Sequence, residues 1–307
     1  MSLRIRRLAA VLFATVAAFT LAGTGSFATA EPDGGPGAEI QDGQLPEPAA
    51  ACSTTDTAGK RITMTTADGR PYLVYVPKGL TGAAPLIVAV HGGMSSPDKF
   101  AGETGFDGYA ESKKFIVAYP RGPKAETGGY GGWDWNKGSA DVTFLRAVMS
   151  GVSGKYCVNP HRVHMVGHSN GGQMTSRMAC DSAGTIASAA TFSSYFPGGY
   201  DCAPTRDISF GVMLTANDAL TWQAGAESNR DMWRMHDGCG AKTTETGYQV
   251  KNGESSACAN GSEVVYRLYQ DQPTPDKAHN WPTPSGDPSW NADIFNRMWK
   301  LFVDNQL

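Results

Sequence analysis

The pentapeptide GHSNG at residues 167–171 has the spacing G-x-S-x-G, which places a serine at the tip of a tight strand-to-helix turn. Glycines on either side of the serine allow the neighbouring backbone to pack closely, because they carry no Cβ. An apolar run at 163–166 precedes the pentapeptide, and a helical pattern follows it. We therefore predict that Ser169 is a nucleophile. The alternative is a structural Gly-Ser turn.

A serine hydroxyl is a weak nucleophile unless a neighbouring base accepts its proton. In α/β-hydrolases the chain order is serine, acid, histidine. His279 lies in a loop between an apolar strand pattern and the last helix, so we predict that it is the base. The elbow is expected to point the His168 side chain away from the serine. The other histidines are expected to support loops, to pack or to lie at the surface: His91, His161, His164 and His236.

The acid should follow a strand between the serine and the base. The apolar run at 210–214 is such a strand, and Asp218 comes four residues after its end. Its carboxylate would accept the second imidazole N–H, which fixes the tautomer and stabilises the imidazolium. An Asx turn is the alternative, because the pair Asn217-Asp218 suits one equally well.

Attack of a serine on a carbonyl carbon creates an oxyanion, and backbone N–H groups are expected to bind it. One donor is Asn170, the residue after the nucleophile, and the other is Gly93, in the loop after the strand pattern at 86–90.

The elements that position these residues alternate between strands and helices. Continuous apolar runs suit parallel strands that are covered on both faces, and they occur at 85–90, 115–119 and 163–166. Helical patterns lie at 142–152, 170–180, 223–236 and 292–302, and a hairpin pattern at 61–76. The pattern predicts an α/β protein of the α/β-hydrolase fold, a doubly wound, mostly parallel sheet in a single domain over residues 52–307.

Composition restricts the partners of the chain. Its 307 residues carry a formal net charge of -3, so no positive surplus is available to neutralise nucleic-acid phosphates. The cysteines form no C-x-x-C pair, and the H-x-x-H spacing of His161 and His164 has no carboxylate companion. We expect a monomer that needs no metal or cofactor and binds neither nucleic acid nor membrane.

The N-terminus predicts export. A basic segment with three arginines at 4–7 precedes an apolar run at 8–21, and Ala28-Thr29-Ala30 offers a small-x-small cleavage site. We predict a signal peptide at 1–30 and a flexible, Gly- and Pro-rich leader at 31–51. Six cysteines outside the cell are expected to form disulfides.

Aromatic side chains cluster near the predicted carboxyl ends of the strands. Tyr130, Trp133 and Trp135 could form an aromatic wall for a bound substrate, and Trp222 and Trp281 flank the acid and the base. Packing of the loops is the alternative for each of them.

With these residues in place, the stretch from Pro85 to His279 resembles the secreted polyhydroxybutyrate depolymerase and feruloyl esterase group of carbohydrate esterase family 1. The matching segments are HGG at 91–93, FIVAYP at 115–120, DVTFLRAV at 141–148, KYCVNPHRVHMVGHSNGGQMTSRMAC at 155–180, DGCG at 237–240 and HNWP at 279–282. The resemblance implies a Ser-Asp-His esterase without a cofactor, with Ser169 and His279 in the family positions.

The acid segment departs from the family pattern H-G-T-x-D, because this chain reads LTAND at 214–218. Counting back from the acid selects Asp218, whereas aligning the Thr-Ala pair selects Asn217. We retain Asp218, because an asparagine would not stabilise the imidazolium.

The cysteines are paired by their expected places in the sheet. Cys157 and Cys180 end the helices on either side of the nucleophile strand, so both are expected at the edge remote from the active site. We predict bridges Cys157–Cys180 and Cys239–Cys258, which leaves Cys52–Cys202, although six cysteines allow 15 connectivities.

Three functional hypotheses remain. The first is a secreted serine esterase that hydrolyses a polyester such as polyhydroxybutyrate or its oligomers. The second is a feruloyl or acetylxylan esterase that acts on plant cell-wall esters. The third, suggested by the altered acid segment, is a non-catalytic binding module on a hydrolase fold.

Overall fold

A mixed β-sheet of ten strands lies at the centre of the computed structural model, which describes residues 43–48, 52, 57–123, 132–197 and 201–307. In chain order the strands are β1 (Arg61–Thr65), β2 (Pro71–Tyr75), β3 (Ala84–Val90), β4 (Ile116–Pro120), β5 (Val158–His168), β6 (Ser188–Phe192), β7 (Ser209–Thr215), β8 (Thr243–Thr244), β9 (Val250–Ala257) and β10 (Glu263–Tyr269). Across the sheet they lie in the order β1-β2-β4-β3-β5-β6-β7-β10-β9-β8. The six strands from β4 to β10 in this order pair in parallel, and the outer strands pair antiparallel. The predicted doubly wound, mostly parallel sheet is thereby confirmed.

Helices cover both faces of the sheet. In the described ranges they are α1 (Pro97–Thr104), α2 (Phe106–Lys113), α3 (Ala140–Lys155), α4 (Asn170–Asp181), α5 (Gln223–His236), α6 (Pro275–His279) and α7 (Pro288–Val303), with a 3-10 turn at Ala259–Gly261. Helices α3, α4 and α5 pack into one apolar core, and α1, α2 and α7 pack into the other. None of the described helices combines the length and the apolar composition that a membrane crossing requires.

The central strand β3 shows why its sequence is apolar without a break. Successive side chains of a strand point to opposite faces. Leu86 and Val88 therefore enter the core under α3 to α5, whereas Ile87 and Ala89 enter the core under α7. All four side chains are fully buried. A strand that is covered by a helix layer on each face has no side exposed to solvent, so its sequence contains no alternating polar residues.

Part of the predicted leader packs against the domain. Leu45 is buried in the core of α3 to α5, and the Thr185 hydroxyl donates to the Gly43 carbonyl over 2.6 Å. The expectation of a flexible leader therefore does not hold for residues 43–48. The signal peptide predicted at 1–30 lies outside the described residues.

The disulfides correct two of the three predicted pairings. The six cysteines all lie in described ranges and pair as Cys52–Cys157, Cys180–Cys202 and Cys239–Cys258. Only the local Cys239–Cys258 bridge was predicted. Cys157 and Cys180 do lie where β5 begins and α4 ends, at the edge away from the elbow, but Cys52 and Cys202 reach the same edge. Because all four cysteines lie at one edge of the sheet, that location alone does not distinguish the predicted pairing from the one in the structure.

Candidate active site

Ser169 occupies the turn between β5 and α4 in a strained conformation, with φ 53° and ψ −124°. Its N–H donates to the Phe192 carbonyl over 3.1 Å, and its carbonyl accepts from the Gly172 N–H over 2.8 Å. A positive φ at a residue other than glycine costs about 1–3 kcal/mol and persists only where its surroundings enforce it. The strand-to-helix turn predicted from the pentapeptide is therefore present, and the serine is at its tip.

The glycines of the elbow are required by close backbone contacts. A Cβ on Gly167 would lie 2.2 Å from the Gly171 carbonyl oxygen, and a Cβ on Gly171 would lie 2.3 Å from the carbonyl oxygen of His91. Real Cβ atoms do not approach backbone so closely. Glycine at these positions lets α4 pack directly on β5 and on the end of β3.

We expect Gly167→Ala to lower the free energy of unfolding by about 3 kcal/mol, the cost of overpacking against backbone that cannot move aside. Gly154→Ala is the matched control, because a Cβ there meets open space on the surface of α3. The control should gain up to about 1 kcal/mol, since alanine favours a helix over glycine. Urea unfolding of both variants measures the difference, and equal stabilities would contradict the packing argument.

His279 links Ser169 to Asp218. Its Nε2 lies 2.9 Å from Ser169 Oγ, and its Nδ1 lies 3.0 and 2.9 Å from the two carboxylate oxygens of Asp218. When Nδ1–H donates to the carboxylate, Nε2 carries a free lone pair that can accept the serine proton. The structure thus brings the three predicted residues together in one hydrogen-bonded chain.

Asp218 is held in the orientation that this chain requires. One of its oxygens accepts the N–H groups of Leu220 and Thr221 over 2.9 and 3.1 Å. Burial acts to raise the pKa of Asp218, but the hydrogen bond and charge of His279, followed by the bonds from Thr221 and Leu220, outweigh it and lower the pKa below its ordinary value. The carboxylate is therefore ionised at neutral pH.

Asn217, the alternative acid position, has a different partner. Its side-chain N–H donates to the Gln272 carbonyl over 2.7 Å, and its oxygen accepts the Gln272 N–H over 2.9 Å. This pair of bonds ties the loop after β7 to the loop after β10. The side chain of Asn217 therefore braces the site, and Asp218 is the residue that contacts His279.

Gly93 and Asn170 lie beside each other next to the serine. A Cβ on Gly93 would lie 3.9 Å from the Asn170 Cβ, and a Cβ on Gly92 would lie 3.2 Å from the Ser169 Cβ. The N–H of Asn170 is in the first turn of α4, where N–H groups have no acceptor within the helix. This arrangement suits the predicted pair of oxyanion donors.

His91 fixes the loop that carries Gly93. Its Nε2 accepts the Gly122 N–H over 3.1 Å, so its proton is on Nδ1 and is donated to the Gly92 carbonyl over 2.8 Å. Burial lowers the pKa of His91 to about 4, so the ring is neutral and keeps this hydrogen-bond pattern at neutral pH. The predicted role of His91 in supporting its own loop agrees with these contacts.

Trp133 corrects a prediction. The side chain is only 3% exposed, its ring stacks near Phe144, and its indole N–H donates to the His91 carbonyl over 2.8 Å. The Asn170 side-chain amide binds both the N–H and the carbonyl of Trp133. Trp133 is therefore not a wall of the cleft. It braces the loop that carries Gly93.

Trp281 was also wrongly assigned to the substrate. It is 3% exposed and packs edge-on against Phe100 and Phe106 under α1 and α2. A large ring buries more apolar surface in such a core than at the wall of a cleft. The sequence around Trp281 does not indicate that it packs against α1 and α2. Trp135 is half-buried and packs edge-on against Phe196.

Trp222 agrees better with its prediction. Its side chain is 64% exposed and meets the ring of Tyr195 edge-on, with centroids 6.1 Å apart. Tyr195 in turn lines the cleft at Ser169. Tyr130 lies outside the described residues.

A small cleft of about 150 Å³ opens beside the serine. Its lining comprises Ser169, Asn170, Gln173, Ser193, Ser194, Tyr195, Leu220 and Thr221. Sequence reasoning missed six of these residues. One is Gln173, on α4, and the other five follow the carboxyl ends of β6 and β7: Ser193, Ser194, Tyr195, Leu220 and Thr221. Ligands bind at the carboxyl ends of the strands in parallel sheets. The position of these five residues after a strand could therefore have identified them as candidates for the cleft lining. Strand β6 itself went unrecognised, because SAATF lacks a long apolar run.

One cluster elsewhere in the described ranges brings metal-ligand atoms together. Oxygen or nitrogen atoms of Asp207, His236 and Asp237 lie within 4.8 Å of one another, at the edge where β7 begins. Asp237 accepts from His236 Nδ1 over 2.7 Å and from the Ser262 hydroxyl over 2.9 Å, so its oxygens already have partners. The cluster is at the opposite edge of the sheet from Ser169.

Three buried histidines predict a loss of stability in mild acid. Burial lowers the pKa of His91 and His168 to about 4 and that of His164 to about 3, from an ordinary value of 6.5. Between about pH 6.5 and pH 4 the unfolded chain therefore binds more protons, so the free energy of unfolding falls as the pH falls. Each histidine contributes up to about 1.4 kcal/mol per pH unit.

Urea unfolding at a series of pH values from 7.5 to 5 measures this slope. His164→Phe is the control, because removing one of the three titrating rings should flatten the slope by about a third. A free energy of unfolding that is level over this range would contradict the assignment of neutral buried rings.

Comparison with known proteins finds a matching family model and several relatives. Residues 70–205 match the family model described as Esterase PHB depolymerase. Feruloyl esterase B of Piromyces equi is 32% identical over 196 residues, which are 55% of this chain and 36% of that protein. Poly(3-hydroxyalkanoate) depolymerase C of Paucimonas lemoignei is 26% identical over 149 residues, 47% of this chain and 35% of that protein. The chain thus spans about a third of the length of these curated relatives.

The fold has a counterpart among solved structures. The acetyl xylan esterase from Aspergillus awamori superposes with a TM-score of 0.59 at 16% identity, covering 80% of this chain and 99% of that one. At this identity the likeness concerns the fold. Residues 70–205 are therefore similar to the Esterase PHB depolymerase family model, and the chain has an α/β-hydrolase fold.

Proposed function

We propose that the chain is a serine carboxylic ester hydrolase that works by two acyl-transfer steps. The observation that carries this proposal is the hydrogen-bonded chain from Ser169 through His279 to Asp218, next to the Gly93–Asn170 backbone pair. Nucleophile, base, acid and oxyanion donors all lie at the carboxyl ends of the parallel strands, where this fold binds ligands.

In the first step Ser169 Oγ attacks the ester carbonyl carbon while His279 Nε2 takes the hydroxyl proton. The carbonyl oxygen becomes an oxyanion, which accepts the N–H groups of Gly93 and Asn170. Asp218 stabilises the imidazolium through Nδ1–H. The bond to the alcohol oxygen then breaks, His279 returns the proton to that oxygen, and an acyl-serine and a free alcohol result.

In the second step water replaces the alcohol. His279 Nε2 removes a proton from the water as its oxygen attacks the acyl carbon, and the same two N–H groups hold the oxyanion. The bond to Ser169 Oγ breaks and His279 returns the proton to the serine. The products are a carboxylic acid and the enzyme in its starting state.

For the substrate we propose a polyester of short hydroxyacyl units, or its oligomers. The cleft of about 150 Å³ beside Ser169 suits an acyl group of a few carbons, because drug-sized ligands occupy pockets of about 300–1,000 Å³. Three exposed apolar side chains lie in the segments that form this region: Leu220, at 71%, lines the cleft, Trp222, at 64%, contacts Tyr195 of the lining, and Met94, at 65%, follows Gly93 in the chain. Exposed apolar side chains near a cleft are typical of a site that binds an apolar ligand.

A feruloyl or acetylxylan esterase is the second candidate. The Piromyces equi relative is named a feruloyl esterase, and the exposed Trp222 against Tyr195 offers an aromatic surface for a phenolic or sugar ring. In this case Met94 and Leu220 would contribute little to the selection of the substrate.

Initial rates on a 3-hydroxybutyrate trimer, methyl ferulate and acetylated xylo-oligosaccharides separate the two candidates. We expect the largest kcat/KM for the trimer. We also expect Leu220→Ser to lower this value several-fold and to affect p-nitrophenyl acetate hydrolysis less, because the two-carbon acetyl group covers less of the apolar Leu220 side chain than a hydroxybutyrate unit does. A preference for methyl ferulate, with Leu220→Ser without effect, would select the second candidate.

Secretion is part of the proposal. It is supported by the signal-peptide pattern at 1–30 and by the three disulfides, which form in oxidising compartments. Expression of the full chain followed by N-terminal sequencing of the exported protein tests it, with cleavage after Ala30 expected.

A further inference from the structure

His168, the residue before the proposed nucleophile, binds the main chain of the proposed base. Its Nε2 lies 2.7 Å from the carbonyl oxygen of His279. Because a carbonyl oxygen only accepts, the ring donates through Nε2–H. The elbow is expected to turn the His168 side chain away from the serine. In the structure this side chain reaches the main chain of His279, the residue proposed to deprotonate that serine.

An aromatic enclosure holds the His168 ring in place. Phe100 and Phe192 stack near it, with ring centroids 6.3 and 6.1 Å away, and Trp281 lies perpendicular to it with its ring centroid 6.4 Å away. The residue is 9% exposed. Packing on several sides restricts the ring to one rotamer. The donor of the hydrogen bond to the His279 carbonyl is therefore held in a fixed position relative to β5.

The ring is neutral when the enzyme works. Burial, followed by the charge of the neighbouring His279, lowers the pKa of His168 to about 4. A neutral imidazole carries one N–H, and the bond to the carbonyl of His279 places it on Nε2. The Nδ1 edge lies against Gly92, where a Cβ would approach it to 3.0 Å. The same ring therefore contacts both the loop of the base and the loop of the oxyanion donors.

His279 needs an anchor of this kind. It is the last residue of α6, a helix of five residues, and helices this short are not stable by themselves. The last carbonyls of a helix also lack donors within the helix. Asp218 restrains the imidazole of His279 through Nδ1, and His168 restrains its main chain.

We propose that His168 is a positioning residue for the proposed base: its Nε2–H, fixed on β5 by the aromatic enclosure, holds the His279 main chain so that His279 Nε2 stays within reach of Ser169 Oγ. This inference rests on the proposed function, because its purpose is to keep a general base in place. It adds a second support for His279 beside Asp218.

His168→Phe removes the donor and keeps an aromatic ring in the enclosure. We expect kcat on p-nitrophenyl acetate to fall about 10- to 100-fold, since a displacement of about 1 Å can cost about 10² in rate. KM should change less than about twofold, because His168 does not line the cleft. His168→Gln extends an amide N–H about as far as the ring Nε2 and should restore kcat to within a few-fold. His168→Asn is too short and should stay low.

The matched control is His164→Phe. His164 lies four residues earlier on β5, is fully buried, and binds the Ser188 hydroxyl over 2.9 Å while its ring stacks on Phe302. Its replacement should cost stability without lowering kcat. A second readout is hydrogen exchange of residues 275–282, which should accelerate in His168→Phe and His168→Asn but not in His168→Gln or His164→Phe.

The outcomes separate this inference from the proposed function. A folded His168→Phe with the wild-type kcat and unchanged exchange at 275–282 overturns it. Should His168→Phe fail to fold, equal kcat values for the Gln and Asn variants overturn it, and the expected difference supports it. A wild-type chain without esterase activity refutes the proposed function, and the positioning of His279 is then decided by hydrogen exchange alone.

Discussion

Ser169→Ala is expected to abolish ester hydrolysis, with kcat on a p-nitrophenyl ester lowered by about 10⁶-fold. The variant has no nucleophile, while the backbone donors at Gly93 and Asn170 remain and account for a small residual rate. Stability should change little, because alanine and serine meet the same strain at φ 53° and, among the described residues, the serine hydroxyl is hydrogen-bonded to His279 alone. Steady-state rates and a urea unfolding curve measure both quantities.

Ser193→Ala is the matched control for this result. Ser193 is also a serine with a positive φ, 48°, and it lines the same cleft, but it is not bonded to His279. We expect its kcat to remain within about tenfold of wild type, because the Ser193 hydroxyl has no hydrogen-bond partner among the described residues and takes no part in the bonded chain from Ser169 to Asp218. Equal losses in the two variants would show that the region is sensitive to any change and would contradict a specific role for Ser169.

Asp218→Asn is expected to lower kcat by about 10⁴-fold with the fold intact. An asparagine amide turned toward His279 would donate to Nδ1 and so force the proton of the ring onto Nε2. The ring could then no longer accept the serine proton. Activity lost in this way should not be regained at any pH where the histidine is neutral, so a full pH–rate profile is the measurement.

Asn217→Ala tests the neighbouring position. It removes the two bonds to Gln272 that tie the loops after β7 and β10 together. We expect lower stability and a kcat within about tenfold of wild type. If Asn217→Ala instead lost as much activity as Asp218→Asn, the assignment of the acid would be wrong.

The elbow could be predicted because its requirements are local. The pentapeptide at 167–171 encodes a turn that only glycines at its ends permit, and the contacts of Gly167 and Gly171 show the reason. The order of serine, acid and histidine along the chain then follows from the order of the parallel strands. The continuous apolar runs predicted that sheet for the same reason, since each strand is covered on both faces.

What the sequence did not reveal depends on contacts between distant segments. Trp133 and Trp281 are of the residue type expected in an aromatic binding wall. Trp133 instead braces the His91 loop, and Trp281 packs under α1 and α2. Cys157 and Cys180 are bonded to Cys52 and Cys202 instead of to each other, because all four cysteines lie at the same edge of the sheet. No periodicity within a single segment reports such neighbours.

The role of His168 was missed for a related reason. Its position beside the serine was visible, but its partner is a main-chain carbonyl 111 residues further along the chain. A main-chain acceptor has no sequence signature. Only the three-dimensional path of the loop that carries α6 brings the two groups together.

The central claim is that His279 activates Ser169 for attack on an acyl-type electrophile, and labelling by a fluorophosphonate tests it most directly. The reagent forms a bond to an activated serine oxygen and expels fluoride, so no ester substrate has to be chosen. Peptide mass spectrometry of the labelled protein locates the adduct. The account predicts one modified residue, Ser169, with labelling strongly slowed in His279→Ala and absent from Ser169→Ala. Absence of labelling in the folded wild-type protein, or an adduct at another serine, would contradict it.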